Sequence, residues 1–347
     1  MVNVCSELTT CEACTKSYVH IFSFREHCRW CYATSTCGGP IACPSGSATA
    51  QRDAFKCPQK ASTAKGRRYT DKLGRSLYAL NLASRQKDPS SCLNNSRPDV
   101  KLYKYYEVEC DQTRNTCGGM LGREFVHGVA AQLGAWEKFV NGSGVMTYFH
   151  GAFQRLFIDG GMKDDLLKLR EQHKDYRVWV TGHSLGGSLA SMTALYLVNQ
   201  TLFTPDKVKL VTFGEPRTGN YLFAKAVEQN LNFRYRVIHR NDPASLKLTK
   251  KHSNFNYSLQ VTNIPASMDP DNLFLSVASA ERQPFFYRFA VYYDNDMERE
   301  DKFELCEHPE DHHCRNLAMA DINDHLTYFG VKADDYLKAG CPKSMIL

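Results

Sequence analysis

The residue with the clearest chemical potential is Ser184. It lies in Val178-Trp179-Val180-Thr181-Gly182-His183-Ser184-Leu185-Gly186-Gly187, where Gly182, Ser184 and Gly186 form a Gly-x-Ser-x-Gly pattern. An apolar run enters the pattern and an apolar helical run leaves it. That is the strand–turn–helix setting in which a serine can stand clear on a sharp turn. Glycines on either side remove the side chains that would collide there. The helix start supplies unpaired backbone N–H groups and the positive end of a dipole. The N–H of Leu185 is then the expected first oxyanion donor. The competing reading is a glycine-rich helix start with an inert serine.

A hydroxyl needs a base, and the base needs a carboxylate to orient it. Asp242 follows the strand-like Tyr235-Arg236-Val237-Ile238-His239 and so sits where a strand ends. In Arg240-Asn241-Asp242-Pro243 it also reads as a turn former, and the two roles are compatible. His325, in Asp321-Ile322-Asn323-Asp324-His325-Leu326-Thr327-Tyr328-Phe329, is the expected base. His183 lies inside the pattern, but its side chain is expected to point away from the serine oxygen. His308, His312 and His313 cluster between Cys306 and Cys314, which invites a metal reading. The preferred alternative is a polar loop closed by a Cys306–Cys314 disulfide, so no metal site is expected.

These residues need elements to carry them. Leu73, Leu77 and Leu80 recur at helical spacing, and Asp164–His173 and Leu185–Asn199 also read as helices. Leu102–Glu109, Arg177–Val180, Val208–Phe213 and Tyr235–His239 read as strands. Strands alternating with helices point to an α/β fold with a mostly parallel sheet.

The chain of 347 residues is 43% hydrophobic and 23% charged, which excludes a disordered or fibrous protein. Its formal charge of +6 is mild for the length. The short runs Lys65-Gly66-Arg67-Arg68 and Lys250-Lys251-His252 read as solvated surface, so no nucleic-acid partner is expected. Nor is a transmembrane segment, since the most apolar stretch, Leu185–Val198, is too short and carries glycine and serine.

Fourteen cysteines are divided unevenly: eight lie within residues 1–57 and six are spread beyond. Both sets are even, and the density favours an oxidising compartment. Sequons at Asn94, Asn141, Asn199 and Asn256 agree with secretion. Met1-Val2-Asn3-Val4-Cys5 has neither a basic nor an apolar leader region, so a signal peptide is expected to be missing from this chain. The expected division is a cysteine-rich module at 1–57, a polar linker at 58–69 and an α/β domain at 70–347. Cys11-x-x-Cys14 with Cys28-x-x-Cys31 has zinc-site spacing. Four further cysteines nearby favour disulfides instead, with 105 connectivities open.

Four segments are recognisable together. Thr181–Ala190, Thr212-Phe213-Gly214-Glu215-Pro216-Arg217-Thr218-Gly219-Asn220, Arg236–Asp242 and Asp324–Phe329 resemble, in order, motifs of the class 3 (fungal-type triacylglycerol) lipases. The resemblance implies an α/β-hydrolase fold and hydrolysis of acylglycerols or related esters, with the substrate met at a lipid–water interface. It implies Ser184 as nucleophile, Asp242 as orienting acid and His325 as general base, with no cofactor. The cysteine run from Cys5 to Cys57 looks like a plexin–semaphorin–integrin (PSI) type module, and joined to this domain it is similar to secreted nematode members. Such a module would be a rigid unit for positioning or for a protein partner.

One departure stands out. The family has an apolar strand ending in Phe-Arg-Gly-Thr before the serine motif; its threonine supplies the second oxyanion donor and a mobile lid follows. Between Cys117 and Tyr148 the nearest remnant is Phe125-Val126-His127-Gly128-Val129, without the arginine or the β-branched run. About one strand is therefore expected to be missing. That motivates a second reading, a catalytically impaired lipase-like binding protein. A third is an intracellular zinc-bearing hydrolase.

Overall fold

The computed structural model describes residues 4–39, 41, 43, 49–50, 52–64, 66–110, 116–122, 125–126, 136–245, 284–299, 302–309, 314 and 320–347. The amino-terminal part is held by cysteines rather than by an aliphatic core. Cys5–Cys28, Cys11–Cys57, Cys14–Cys37 and Cys31–Cys43 are bridged. The buried interior there consists of those sulfurs with Trp30 and Ala50. A short chain with so little apolar surface needs such staples. Cys11, Cys14, Cys28 and Cys31 enter four different bridges, so the zinc spacing is a by-product of interleaved disulfides.

This part docks on the rest through side chains. Phe55 packs edge-on against Tyr221 at 5.1 Å, with the Arg288 guanidinium 4.7 Å from its ring centre. The Tyr221 hydroxyl donates to Asp53. Tyr32 stacks on His308 at 4.0 Å, and Lys60 pairs with Glu307 at 2.7 Å. His308 is thus engaged by an aromatic ring; His312 and His313 lie outside the described residues. Cys306 and Cys314 are bridged, as expected. Glu304 lies close to both sulfurs, but two bridged sulfurs are poor metal ligands.

Among the described residues the central sheet has eight strands, labelled here in chain order: β1 Leu102–Glu109, β2 Thr116–Gly122, β3 Phe125–Val126, β4 Val178–His183, β5 Val208–Phe213, β6 Phe233–His239, β7 Ala290–Tyr293 and β8 Glu304–Cys306. Their spatial order equals their chain order. β3 to β7 run parallel; β1, β2 and β8 are antiparallel to their neighbours. The centre is buried on both faces: every residue of β5 is buried. Alternation then sorts its side chains. Val208 and Leu210 join the helix Leu185–Asn199 in one core, while Val211 and Phe213 face the helix Asp71–Ala83 in the other. Each fully buried leucine or phenylalanine adds about 1.5–3 kcal/mol.

At the place of the expected gap, the remnant Phe125-Val126 is paired. β3 occupies the place beside the serine-bearing strand, pairing Phe125 with Trp179 and Val126 with Val180. Among the described residues it is two residues long. Its neighbour β2 was illegible because Gly118, Gly119 and Gly122 lower strand propensity. The glycine at 118 has a packing cause: a Cβ there would lie 2.4 Å from the Tyr105 hydroxyl.

Candidate active site

Ser184 is the hinge between β4 and the helix Leu185–Asn199, with φ 57° and ψ −130°. A non-glycine residue held there stores roughly 1–3 kcal/mol. The strain is held by packing: the Ser184 N–H donates to the Phe213 carbonyl on β5 at 2.8 Å. A Cβ on Gly182 would lie 2.0 Å from the Gly186 carbonyl oxygen, so residue 182 must be glycine for the turn to close.

Asp242 follows β6 and is fully buried; His325 sits in the short helix Ile322–Leu326, far along the chain. Two hydrogen bonds sew these segments together. Asp321 N–H donates to the Asn241 carbonyl at 3.0 Å, and Asn241 N–H donates to Asp324 Oδ2 at 3.0 Å. The result is a line of contacts: Asp242 Oδ1 lies 2.8 Å from His325 Nδ1, and His325 Nε2 lies 2.8 Å from Ser184 Oγ. A carboxylate can only accept, so Nδ1 carries the hydrogen and Nε2 is left to accept from the serine. Burial pushes the Asp242 carboxyl up, but His325, the Tyr328 hydroxyl and the Ala244 N–H together outweigh it and hold it below the ordinary value.

The structure also brings in groups that pattern alone did not single out. Tyr328 donates to Asp242 Oδ2 at 2.6 Å. His183 has partners of its own. Arg85, which can only donate, faces its Nδ1 at 3.0 Å. The ring hydrogen is therefore on Nε2, which donates to the His325 carbonyl at 2.8 Å. Gly214, with φ 53°, passes so close that a Cβ would meet Asp242 Oδ2 at 2.6 Å and His325 Nδ1 at 2.9 Å.

Glu215 is buried under the start of the serine helix. It accepts from Thr212 and Tyr287 at 2.6 Å each and from Thr218 at 2.9 Å. Burial raises its pKa, partly offset by Thr212, Tyr287, Arg236 and Ser191. A signal for these groups existed only as membership of the quoted segments. Leu185 opens the helix, so its N–H has no intrahelical acceptor and adjoins Ser184. No residue is assigned as the second donor; His127–Val129 of the remnant lie outside the described residues.

The family model described as "Lipase (class 3)" matches residues 120–247, which include Ser184 and Asp242. "Lipase ZK262.3" of Caenorhabditis elegans is 28% identical over 316 residues, covering 80% of this chain and 84% of that protein. "Secreted mono- and diacylglycerol lipase 1" of Fusarium solani is 38% identical over 104 residues, covering 30% of this chain and 29% of that one. Among solved structures, the lipase from Rhizopus microsporus var. chinensis aligns with a TM-score of 0.57 at 19% identity, covering 80% of this chain and 92% of that one. A fungal lipase–inhibitor complex aligns with a TM-score of 0.56 at 18% identity, covering 76% and 97%. Over residues 120–247 the chain is similar to the class 3 lipases, and it shares the α/β-hydrolase fold of the solved fungal lipases.

Proposed function

We propose that this chain is a secreted serine lipase/esterase acting on acylglycerol or related carboxylic esters. Ser184 Oγ attacks the ester carbonyl carbon as His325 Nε2 takes its hydrogen. The Leu185 N–H stabilises the oxyanion. Collapse of the tetrahedral intermediate breaks the acyl–oxygen bond, and the departing alcohol takes the hydrogen from Nε2. Water then repeats the steps on the acyl-enzyme and releases the acid. Asp242 holds the imidazole in the required tautomer throughout.

The observation that carries this reading is the pair of 2.8 Å contacts joining Asp242, His325 and Ser184. Secretion is supported by seven disulfides and by the name of the Fusarium relative. Asn94 and Asn141 are exposed and suit glycosylation. Residues 1–57 are read as the PSI-like module, 58–69 as the linker and 70–347 as the hydrolase.

A fluorophosphonate probe tests the reading. Labelling is expected on the parent chain and lost in Ser184→Ala, with kcat on an ester falling by at least about 10⁴-fold. Absence of labelling on folded protein would sink it and favour the binding-protein reading.

A further inference from the structure

The disulfide-braced module projects an antiparallel hairpin, Tyr18–Ile21 with Phe24–His27, joined by the two-residue turn Phe22–Ser23. Phe22 breaks two local rules at once. Its φ is 55°, where two-residue turns want asparagine or glycine and a bulky ring is an outlier. Its side chain is also 96% exposed. Phe329 adopts a similar φ of 57° at another tight turn, but it is buried among Tyr78, Phe213 and Tyr293. Packing accounts for Phe329. Among the described residues nothing covers the Phe22 ring. Beside it Phe24 is 73% and Ile21 43% exposed.

The register sorts the ribbon into two faces. Val19, Ile21, Phe24 and Glu26 share one; Tyr18, His20, Arg25 and His27 share the other. Val19 packs on the disulfide core, and Ile21 and Phe24 carry that apolar face outward to the tip. On the second face the Arg25 guanidinium sits 3.8 Å over the Tyr18 ring. Burial together with neighbouring Arg52 and Arg25 holds His27 below its ordinary pKa, so the arginines supply the positive charge there at neutral pH. The base is fixed by the Cys28 N–H donating to the Ser17 carbonyl at 3.1 Å and by the Cys5–Cys28 bridge.

We propose that the Ile21–Phe24 tip is an interfacial anchor that inserts into an anionic lipid surface and so holds the hydrolase against lipid. Shape and charge favour lipid over a protein partner. The tip is convex and three side chains wide, whereas a stable protein interface needs about 1,000 Å² or more. Shallow burial of an apolar edge flanked by cationic groups suffices for a lipid interface. The proposal rests on the esterase reading in one respect. Ester hydrolysis at a lipid surface deposits fatty-acid carboxylates, making that surface anionic and complementary to the Arg25 face.

The test uses the full chain carrying Ser184→Ala, which binds without hydrolysing, in flotation with phosphatidylcholine vesicles with and without phosphatidylglycerol. Replacing Phe22 and Phe24 by serine is expected to weaken partition by about 10–100-fold for each ring removed. Phe22→Leu with Phe24→Leu retains much of it. Arg25→Gln weakens binding to the anionic vesicles alone. With Ser184 present, the serine variants hydrolyse a water-soluble butyrate ester as the parent does. Vesicle binding unchanged by the serine replacements overturns the anchor, as does a parent that fails to float and is instead held by a protein. Failure of soluble-ester hydrolysis in the parent would remove the esterase reading while leaving the flotation result to judge the hairpin.

Discussion

Tyr328 donates its hydroxyl hydrogen to Asp242 Oδ2 at 2.6 Å, on the carboxylate oxygen opposite the one that faces His325. The two residues come from the segments that Asn241 and Asp324 stitch together, so the contact both orients the carboxylate and stabilises its charge. The ring itself is held by Tyr78 and Phe213. Tyr328→Phe keeps that packing and removes one charge-assisted hydrogen bond, a loss of about 1.5–3 kcal/mol. The expected outcome is a kcat lower by about tenfold or more with KM little changed. The hydroxyl also helps hold the carboxyl down, so its removal raises the pKa of Asp242. Activity should then begin to fail at a higher pH on the acid side, which a pH profile of kcat/KM would show. An unchanged acid limb would argue against the contact.

The same carboxylate links stability to pH. Its folded pKa lies below the ordinary value. Above the unfolded-state pKa its contribution is complete. As pH falls below that value the unfolded chain takes up a proton that the folded chain refuses, so stability is lost until the folded pKa is passed. Asp242→Asn cannot titrate. Melting temperatures measured from about pH 6 down to pH 2 should therefore fall more steeply for the parent than for the variant. Parallel curves would contradict the depressed pKa.

How much of this was legible in residues alone depends on how each part signals. The helix Leu185–Asn199 and strands β4, β5 and β6 announce themselves, because a buried parallel strand is a continuous apolar run bounded by turn residues. β2 and β3 do not: one is rich in glycine and packed against Tyr105, and the other is two residues long among the described residues. Long-range pairing is equally silent. Nothing in the spacing of Cys11 and Cys14 says that they join Cys57 and Cys37. His183 and Tyr328 had readable positions but unreadable partners, since Arg85 and Asp242 are brought to them only by the fold.

Gly214 offers a steric test. Its φ of 53° and the 2.6 Å approach of a would-be Cβ to Asp242 Oδ2 leave no space for alanine. Gly214→Ala should push the Asp242–His325 pair away from Ser184. A displacement near 1 Å costs about 10²-fold in rate. The readout is kcat on a soluble ester beside an unchanged far-ultraviolet circular dichroism spectrum. Full activity would mean that the loop yields cheaply.

His183 tests whether the base is positioned from beneath. Arg85 fixes its tautomer, and its Nε2–H then holds the His325 carbonyl. The His325 ring lies 4.7 Å from the His183 ring, so packing and hydrogen bonding act together. His183→Ala removes both and leaves the His325 carbonyl without that donor. His183→Gln keeps a donor of comparable reach. If positioning is the role, alanine lowers kcat by about tenfold or more while KM holds, and glutamine restores part of the loss. A merely structural role would lower the melting temperature of both variants and leave kcat of the folded fraction unchanged. Active-site titration with the fluorophosphonate probe separates these cases by counting the folded, reactive serine directly.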